Sequence, residues 1–296
     1  MDLSSLEIFC AVATEQSVTR AAHNLARVQS NVTTRVQQLE DELRVKLFSR
    51  SGRRMTLTPS GRRMLEYAQR LLSLAEEARS AMNPESMAGP LRIGALESTA
   101  AARLPALLSG YHTMWPQVEL EIAIGTSRSL AEDVEGGRLD CAFVADARIF
   151  DSPEPDCRIA GRGLSATLAY HENMVLVLPP NHPAVKGPGD LRVKTLAAFP
   201  DGCTYRSVLE RWLSSRDFDG NRNWKVLELA SYHAILACVA AGACFALCPK
   251  SILELQRTPM DVRTQEIATV DTFLIARPGY SSGPYKELLK FLPGGA

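Results

Sequence analysis

The chain has 296 residues, 46% of them hydrophobic, and its 33 Lys and Arg are balanced by 33 Asp and Glu. This length supports two or three units that each have a core. The longest apolar runs, such as residues 234–247, contain Gly242 and several small residues, and the first residues show no signal-peptide pattern. We therefore expect a cytoplasmic protein that does not cross a membrane.

The balanced net charge hides an asymmetry along the chain. Residues 1–65 contain ten Lys and Arg against six Asp and Glu, a net charge of +4, so the remaining residues carry −4. A basic N-terminal part on an acidic body would orient the molecule toward a polyanion such as DNA.

Residues 16–61 predict a winged helix-turn-helix. Apolar residues recur at helical spacing after a capping Ser17 or Thr19, and they recur again after a turn at residues 26–28. The two stripes are Val18, Ala21, Ala22 and Leu25, followed by Val32, Val36, Leu39 and Leu43. The whole stretch is interpreted as two short helices, a tight turn, a longer helix and a basic hairpin, and the two stripes place one short helix before the turn and the longer helix after it.

The second helix carries short polar and cationic side chains beside its apolar stripe. These residues are Gln29, Ser30, Asn31, Thr33, Thr34 and Arg35. Such side chains suit a helix in the major groove of DNA, because Asn or Gln pairs with adenine and Arg pairs with guanine. An ordinary solvated helix face is the alternative interpretation.

A basic hairpin follows the second helix. Ser51 and Gly52 predict a turn, residues 55–58 favour a strand, and Arg50, Arg53 and Arg54 flank the turn. These arginines would neutralise DNA phosphates or enter the minor groove, which increases affinity more than sequence choice.

This order of residues resembles the LysR-type transcriptional regulators, over nearly the whole chain. The residues that carry the resemblance are Leu6, Phe9, Ser17, Ala21, Ala22, Leu25, Gln29, Ser30, Val32, Leu39, Glu40, Leu47, Phe48, Arg50, Leu57, Thr58 and Gly61. The chain departs from the family pattern at Val28, Asn31, Thr33 and Thr34, so base contacts of the family are not transferred to Thr34.

The resemblance implies a multidomain protein of α+β and α/β class. Its parts are an N-terminal winged helix-turn-helix at residues 1–58, a linker and dimerisation helix with a hinge at residues 59–88, and an effector domain at residues 89–296. The effector domain would be a type 2 periplasmic-binding-protein-like α/β fold of two subdomains. Subdomain I would span about 89–164 and 268–296, and subdomain II about 165–267.

The predicted linker helix begins at Pro59 and has a heptad seam. The seam residues are Met64, Ala68, Leu71, Ala75, Ala78 and Met82, widened by Leu65 and Leu72. Such a seam is too apolar for a lone helix, so we expect it to pair with a second copy of the chain. Packing against the body of the same chain is the alternative. The family resemblance adds a tetramer as an expectation.

Beyond Pro90 strands and helices alternate, which predicts a parallel sheet covered by helices. Strands are predicted at 91–95, 118–125 and 139–145, then less clearly from 174, 224 and 245, and at 272–276. Helices are predicted at 99–111 and 130–135, from 205 and 233, and at 285–291. The resemblance places a ligand in the cleft between the two subdomains.

Several polar residues fall where that cleft needs them. They are Glu97, Ser98, Thr99, Thr126, Ser127, Cys203, Thr204, Tyr205, Arg206 and Ser231. We expect a carboxylate or amino-acid-like effector, whose carboxylate Arg206 could clamp. Glu97 would either repel an anionic ligand or form an ion pair with Arg206 when the site is empty, so the charge of the ligand stays open. The sequence of residues 202–206, GCTYR, resembles a signature of one branch of the family. For each hydroxyl, a helix-capping role is the alternative.

The seven cysteines, an odd number without a CxxC pair, indicate reduced thiols. Cys238, Cys244 and Cys248 lie in an apolar run and are expected to act as small hydrophobic residues more than as a metal or redox cluster. The main alternative function is a regulator that senses redox change through Cys203, whose pKa the helix start and Arg206 would lower.

Other functions fit the sequence less well. The five histidines match no catalytic or metal-binding spacing, and no phosphate-binding glycine loop is present. We therefore expect neither an enzyme nor a metal or cofactor site. A solute-binding protein for transport would have no use for the basic N-terminal part.

Overall fold

The computed structural model describes residues 1–51, 54–83, 86–87, 89–146, 163–214 and 224–293, with backbone alone at 50 and 51. The chain divides into two compact units. One contains residues 1–84 and 136–138, and the other contains residues 85–135 and 139–296. No helix within the described ranges is long and apolar enough to cross a membrane.

The first unit is a winged helix-turn-helix followed by a long helix. Its elements are α1 (Leu3–Glu15), α2 (Val18–Asn24), α3 (Gln29–Leu43), β1 (Phe48–Ser51), β2 (Arg54–Leu57) and α4 (Pro59–Met82). The predicted helices α2, α3 and α4 and the hairpin are confirmed. Of the two short helices expected after residue 16, only α2 lies there, because the other short helix of the unit, α1, precedes that stretch. Ser17 caps α2 by accepting from the Arg20 amide at 3.3 Å, and Thr58 caps α4 by accepting from the Gly61 amide at 2.9 Å.

The helices of this unit share one core. Val32, Val36 and Leu39 of α3 are buried in it, as their spacing predicts, and Phe9 of α1 lies against Phe48 of β1 with ring centroids 5.3 Å apart. The apolar stripe of α3 therefore fixes the helix on α1 and β1 and leaves its other faces outward.

A buried carboxylate joins α3 to the hairpin. Glu40 accepts hydrogen bonds from the amides of Leu47 and Phe48 at 2.8 and 3.1 Å and from Lys46 Nζ at 2.7 Å. Burial by itself raises the pKa of Glu40, but these hydrogen bonds outweigh it and hold the pKa below its ordinary 4.5. Glu40 thus fixes where the chain leaves α3 and begins β1.

The heptad seam predicted along α4 is only partly free for a partner. Ala68 is buried in the core of its own unit, and Met64, Leu65 and Leu72 pack against the same core. The exposed apolar residues of α4 are Tyr67, Leu71, Leu74 and Met82. The expectation that Met64 and Ala68 pair with a second copy is therefore wrong, because α1 and the hairpin already cover that side of α4.

The second unit is an α/β structure with many elements. In chain order they are β3 (Pro90–Ala95), α5 (Glu97–Ala102), α6 (Leu104–Met114), β4 (Glu119–Ile124), α7 (Ser127–Glu135), β5 (Cys141–Asp146), β6 (Ser165–Leu178), β7 (Thr195–Ala198), α8 (Thr204–Leu213), β8 (Lys225–Glu228), α9 (Tyr232–Ala240), β9 (Ala246–Pro249), α10 (Lys250–Glu254), β10 (Arg263–Ala276) and α11 (Gly283–Lys290).

The main sheet is mixed, which corrects the prediction of a parallel sheet. Its order is β4-β3-β5-β10-β6-β9, in which β3 runs parallel to β4 and β5 but β10 and β6 pair antiparallel. A second, two-stranded sheet pairs β7 with β8 in parallel. The long strands β6 and β10 were predicted too short because polar residues interrupt their apolar pattern.

One predicted helix is divided in two. Residues 99–111 form parts of α5 and α6, with a break at Arg103. Pro105 at the start of α6 has no amide hydrogen and cannot bond to the turn before it, so a continuous helix is disfavoured there. The strand β7 and the helix α10 were not predicted.

We expect Glu40→Ala to lower the free energy of unfolding by roughly 2 to 4 kcal/mol, since each buried amide left without a partner costs about 1–3 kcal/mol. Urea unfolding measures this, and faster hydrogen exchange at Leu47 and Phe48 would locate it. Asp41→Ala, at an exposed position on the same helix, should change stability by about 0.5 kcal/mol or less. Equal losses in the two variants would contradict the role of Glu40.

Candidate functional site

The outward side of α3 carries most of the polar residues predicted to face DNA. Gln29, Ser30, Asn31 and Thr34 are exposed, and Thr33 is half-buried. The Thr33 hydroxyl donates to the Gln29 carbonyl at 3.0 Å, and the Gln29 amide oxygen accepts from the Thr19 hydroxyl at 3.3 Å. The Thr19 contact holds the Gln29 side chain at the start of α3, where the residue remains exposed.

Arg35 differs from the other predicted residues of α3. It is half-buried and forms an ion pair with Asp2, with 3.4 Å between Nη1 and Oδ2. Asp2 also caps α1 by accepting from the Ser5 amide at 2.7 Å. Arg35 therefore ties α3 to the start of α1 in this conformation.

Gln37 and Gln38 are also exposed on α3 and were not singled out from the sequence. Both are polar and lie one helical turn after Thr33 and Thr34, so the sequence could have predicted that they share the outward face of α3.

The hairpin brings its residues together through a short antiparallel ladder. Phe48 pairs with Leu57 and Ser49 pairs with Thr56, with the two hydroxyls 2.7 Å apart. Arg54 is exposed at the start of β2. Arg53 and the side chain of Arg50 lie outside the described residues.

In the second unit, a cavity that opens to solvent lies at the ends of several strands, with about 250 Å³ of empty space when the solvent at its mouth is included. It is lined by Leu96, Glu97, Ser98, Gly125, Thr126, Phe199, Cys203, Tyr205 and Tyr232. Five of the predicted residues are in this lining, namely Glu97, Ser98, Thr126, Cys203 and Tyr205. Leu96, Gly125, Phe199 and Tyr232 were not predicted.

Strand topology explains why these residues converge. Ala95 and Ile124, the last residues of the parallel strands β3 and β4, are paired, so the loops that follow them lie side by side. The parallel strands β7 and β8 end together at Ala198 and Glu228 in the same way. The carboxyl ends of parallel strands are where α/β folds place their ligands.

The two sides of the cleft also touch each other directly. The Thr204 hydroxyl donates to Ser127 Oγ and to the Ala145 carbonyl, each at 2.9 Å, and Arg128 pairs with Asp201 at 2.7 Å. Gly202 has a φ of +93°, and a Cβ there would lie 3.0 Å from Thr126 Oγ1. Ser127 and Thr204 thus join the cleft walls instead of lining the cavity.

Ser231 and Thr99 also lie outside the cavity lining. Ser231 caps α9 by accepting from the His233 amide at 3.2 Å, so it has the helix-capping role that was the alternative to ligand contact. Thr99 is buried in α5.

Arg206 does not face the cavity as predicted. Its guanidinium pairs with Glu210 at 2.8 Å and with Glu228 at 2.7 Å, and it donates to the Phe199 carbonyl at 3.3 Å. The expected ion pair with Glu97 is absent among the described contacts of Arg206. The reason is local, since Glu210 lies one helical turn after Arg206 and is the nearer acid.

Glu97 is the acidic group of the cavity wall. Its Oε1 accepts from the Tyr232 amide at 3.4 Å, and its Oε2 is buried and has no hydrogen-bond partner in the described structure. Burial raises the pKa of Glu97 above its ordinary 4.5, and the Tyr232 amide only partly offsets this.

Tyr205 is a second buried polar group of this wall. Its side chain is 3% exposed, and its hydroxyl lies near those of Ser98 and Thr272. The Tyr205 hydroxyl makes no hydrogen bond of good geometry within the described residues, and neither does that of Thr272. Burial raises the pKa of Tyr205, so the phenol is neutral.

Cys203 is not an activated thiol in this structure. Burial raises its pKa above the ordinary 9.0, and the amides of Arg206 and Tyr205 and the charge of Arg206 do not compensate. This is opposite to the lowered pKa expected from the helix start, because the side chain is withdrawn from water.

Cys244 and Cys248 are held as neutral thiols by the same physical effect. Burial raises the pKa of Cys244 to about 11 and that of Cys248 to about 12. The part of the chain that is described contains no group of three or more His, Cys, Asp or Glu placed to hold a metal ion. Cys157 lies outside the described residues.

Comparison with known proteins matches both units to one family. Residues 3–62 match the family "Bacterial regulatory helix-turn-helix protein, lysR family", and residues 84–293 match the "LysR substrate binding domain". The GltR transcriptional regulator of Bacillus subtilis is 35% identical over 275 residues, covering 93% of this chain and 88% of GltR. The SoxR regulator of an Arthrobacter species is 34% identical over 268 residues, covering 90% and 86%.

Solved structures share the fold. Full-length OxyR from Pseudomonas aeruginosa, in a variant form, superposes with a TM-score of 0.70 at 23% identity, covering 98% of this chain and 93% of OxyR. CbnR in complex with its target DNA superposes with a TM-score of 0.65 at 20% identity, covering 100% of both chains. With a helix-turn-helix and a ligand-domain fold that both match, the chain belongs to the LysR family of DNA-binding transcriptional regulators.

Proposed function

We propose that the chain is an effector-responsive regulator, in which residues 1–58 bind promoter DNA, residues 59–88 pair two copies, and residues 89–296 bind a small molecule. The cavity at the strand ends carries this proposal. Its concave wall contains aromatic side chains and two buried polar atoms, Glu97 Oε2 and the Tyr205 hydroxyl oxygen, that have no hydrogen-bond partner among the described residues. Concave sites with aromatic walls and a few polar groups are typical of ligand binding. A ligand that prefers one closure of the cleft would change how the subunits present α3 to DNA.

In this proposal α3 reads the major groove through Gln29, Ser30, Thr33 and Thr34, and Arg54 of the wing contacts phosphate. The division of labour follows from the side chains, since an amide pairs with a base edge and an exposed guanidinium neutralises backbone charge. The net charge of +4 on residues 1–65 also favours an orientation in which this part of the chain faces DNA.

Pairing of two copies would use the exposed side of α4. Leu74 is 61% exposed and Met82 is 84% exposed, and Tyr67 and Leu71 lie on the same side at helical spacing. Such an apolar stripe on a helix is typical of an interface. Two copies would present two α3 helices to two DNA half-sites.

We expect Gln29→Ala to relax sequence preference at one base pair by about 1–3 kcal/mol, because hydrogen bonding between its amide and a base edge is lost. Arg54→Ala should weaken binding to all sequences alike and reduce the slope of log K against log salt by about one ion. Titrations of operator and random DNA at several salt concentrations measure both effects.

Gln117→Ala is the matched control, since Gln117 is exposed in the second unit. It should leave both quantities unchanged. Equal losses of Gln29→Ala on operator and random DNA would refute the base contact.

We expect Thr126→Trp to abolish the response of promoter binding to small molecules, because the indole would fill the cavity that Thr126 lines. Binding to DNA without a ligand should be retained. The measurement is DNA affinity with and without a panel of amino acids, carboxylates and amines, preceded by a thermal-stability screen, because a ligand of the native state raises the melting temperature.

Thr113→Trp provides the control, because Thr113 is exposed on α6 and the same side chain is introduced. It should respond as the unmodified chain does. A full response in Thr126→Trp would show that the effector binds elsewhere.

A further inference from the structure

The charge of the cavity wall differs from what a carboxylate ligand needs. The described residues that line it include one carboxylate, Glu97, and no Lys, Arg or His. A ligand anion would therefore meet a like charge in a partly dehydrated space, and two carboxylates in such a space repel each other strongly.

The arginines beside the cavity are already paired with acids of the chain. Arg206 is held between Glu210 and Glu228, and Arg128 is held by Asp201. Neither is free to serve as the counter-ion of a bound carboxylate unless it first gives up its present partner, which costs free energy.

The chain also places its own anion at the first turn of α9. The Tyr232 amide, one of the unpaired donors of that turn, donates to Glu97 Oε1 at 3.4 Å. The position that a ligand carboxylate would take there is filled by Glu97. What remains unpaired is an acceptor, Glu97 Oε2.

Aromatic rings form much of the remaining wall. Phe199 and Tyr232 lie with ring centroids 4.9 Å apart at an angle of 56°, and Tyr205 lines the same cavity. Aromatic faces attract cations, and the attraction is stronger where water is excluded. A carboxylate beside aromatic rings is a combination that recognises ammonium groups.

We infer that the cleft binds a small organic cation with an N–H donor, a protonated amine, with Glu97 as its counter-ion and the rings of Phe199 and Tyr232 around its carbon chain. The inference rests on the proposed function of the cleft as the effector site.

The test uses three probes of nearly equal shape and different charge on the full chain: n-pentylammonium, 1-pentanol and pentanoate. Isothermal titration or thermal shift at neutral pH gives the three affinities. We expect n-pentylammonium to bind about tenfold more tightly than 1-pentanol, as a charged hydrogen bond allows, and pentanoate to bind most weakly.

Glu97→Gln keeps the side-chain size and removes the charge, so the preference for the ammonium over the alcohol should disappear. Glu119→Gln is the matched control, because Glu119 is exposed on β4, and it should keep the preference. Tighter binding of pentanoate, or an ammonium preference that survives in Glu97→Gln, would overturn the inference.

A second measurement needs no ligand. The raised pKa of Glu97 means that the folded chain holds this proton more tightly than the unfolded chain, so stability falls as pH rises from 4.5 through the folded pKa. The groups that face Glu97 across the cavity, Cys203, Tyr205 and Tyr232, all have raised pKa values and stay neutral there.

We therefore expect Glu97→Gln to reduce this fall in melting temperature with rising pH, and Glu119→Gln to leave it unchanged. Identical pH profiles in the two variants would overturn the role of Glu97 as an uncompensated charge.

The outcomes also separate this inference from the proposed function. If no pentyl probe binds but Thr126→Trp still removes the promoter response, the ligand class is wrong and the effector cleft stands. If Thr126→Trp has no effect on that response, the effector cleft itself is wrong.

Discussion

The antiparallel pairing of β6 with β10 is the interaction on which the architecture of the second unit depends. Both strands are 14 residues long and pair from Ser165 with Ala276 to Leu178 with Arg263. β10 also pairs with β5, and β6 with β9, so this ladder joins the part of the sheet that contains β3 to the part beside β7 and β8. The walls of the cleft therefore share one hydrogen-bonded support, and its register shifts near Ala268 and Phe273 are places where a sheet bends most readily.

A buried ion pair strengthens this support. Glu172 of β6 is 4% exposed and accepts from Arg103 Nε at 2.7 Å and from the Ser251 hydroxyl at 3.0 Å. Arg103 lies at the break between α5 and α6, which Pro105 favours. Its ion pair with Glu172 therefore links these two helices to strand β6. Removing one partner would leave a buried charge, which is far more costly than the pair is stabilising.

Much of the fold follows from the sequence where one face of an element is buried. The stripe of Val32, Val36 and Leu39 predicted α3, whereas β6 and β10 were predicted too short because polar residues interrupt their apolar pattern. The cleft shows the same division, since Glu97, Ser98 and Thr126 are polar residues that follow strand ends, whereas Phe199 and Tyr232 are aromatic and were not predicted to line it. Arg206 was misassigned although Glu210, four residues later, already indicated a helical ion pair.

The buried side and the outward side of α3 differ in how freely their residues can be substituted during evolution. Val32, Val36 and Leu39 hold the helix in place, while Ser30, Thr34 and Gln37 point outward and are exposed. If α3 reads DNA as proposed, exchange of the outward residues would change the surface offered to DNA and leave the packing of the unit intact. On that proposal, a duplicated copy of this chain could acquire a new target promoter by a few substitutions, long before its scaffold or its cleft diverged.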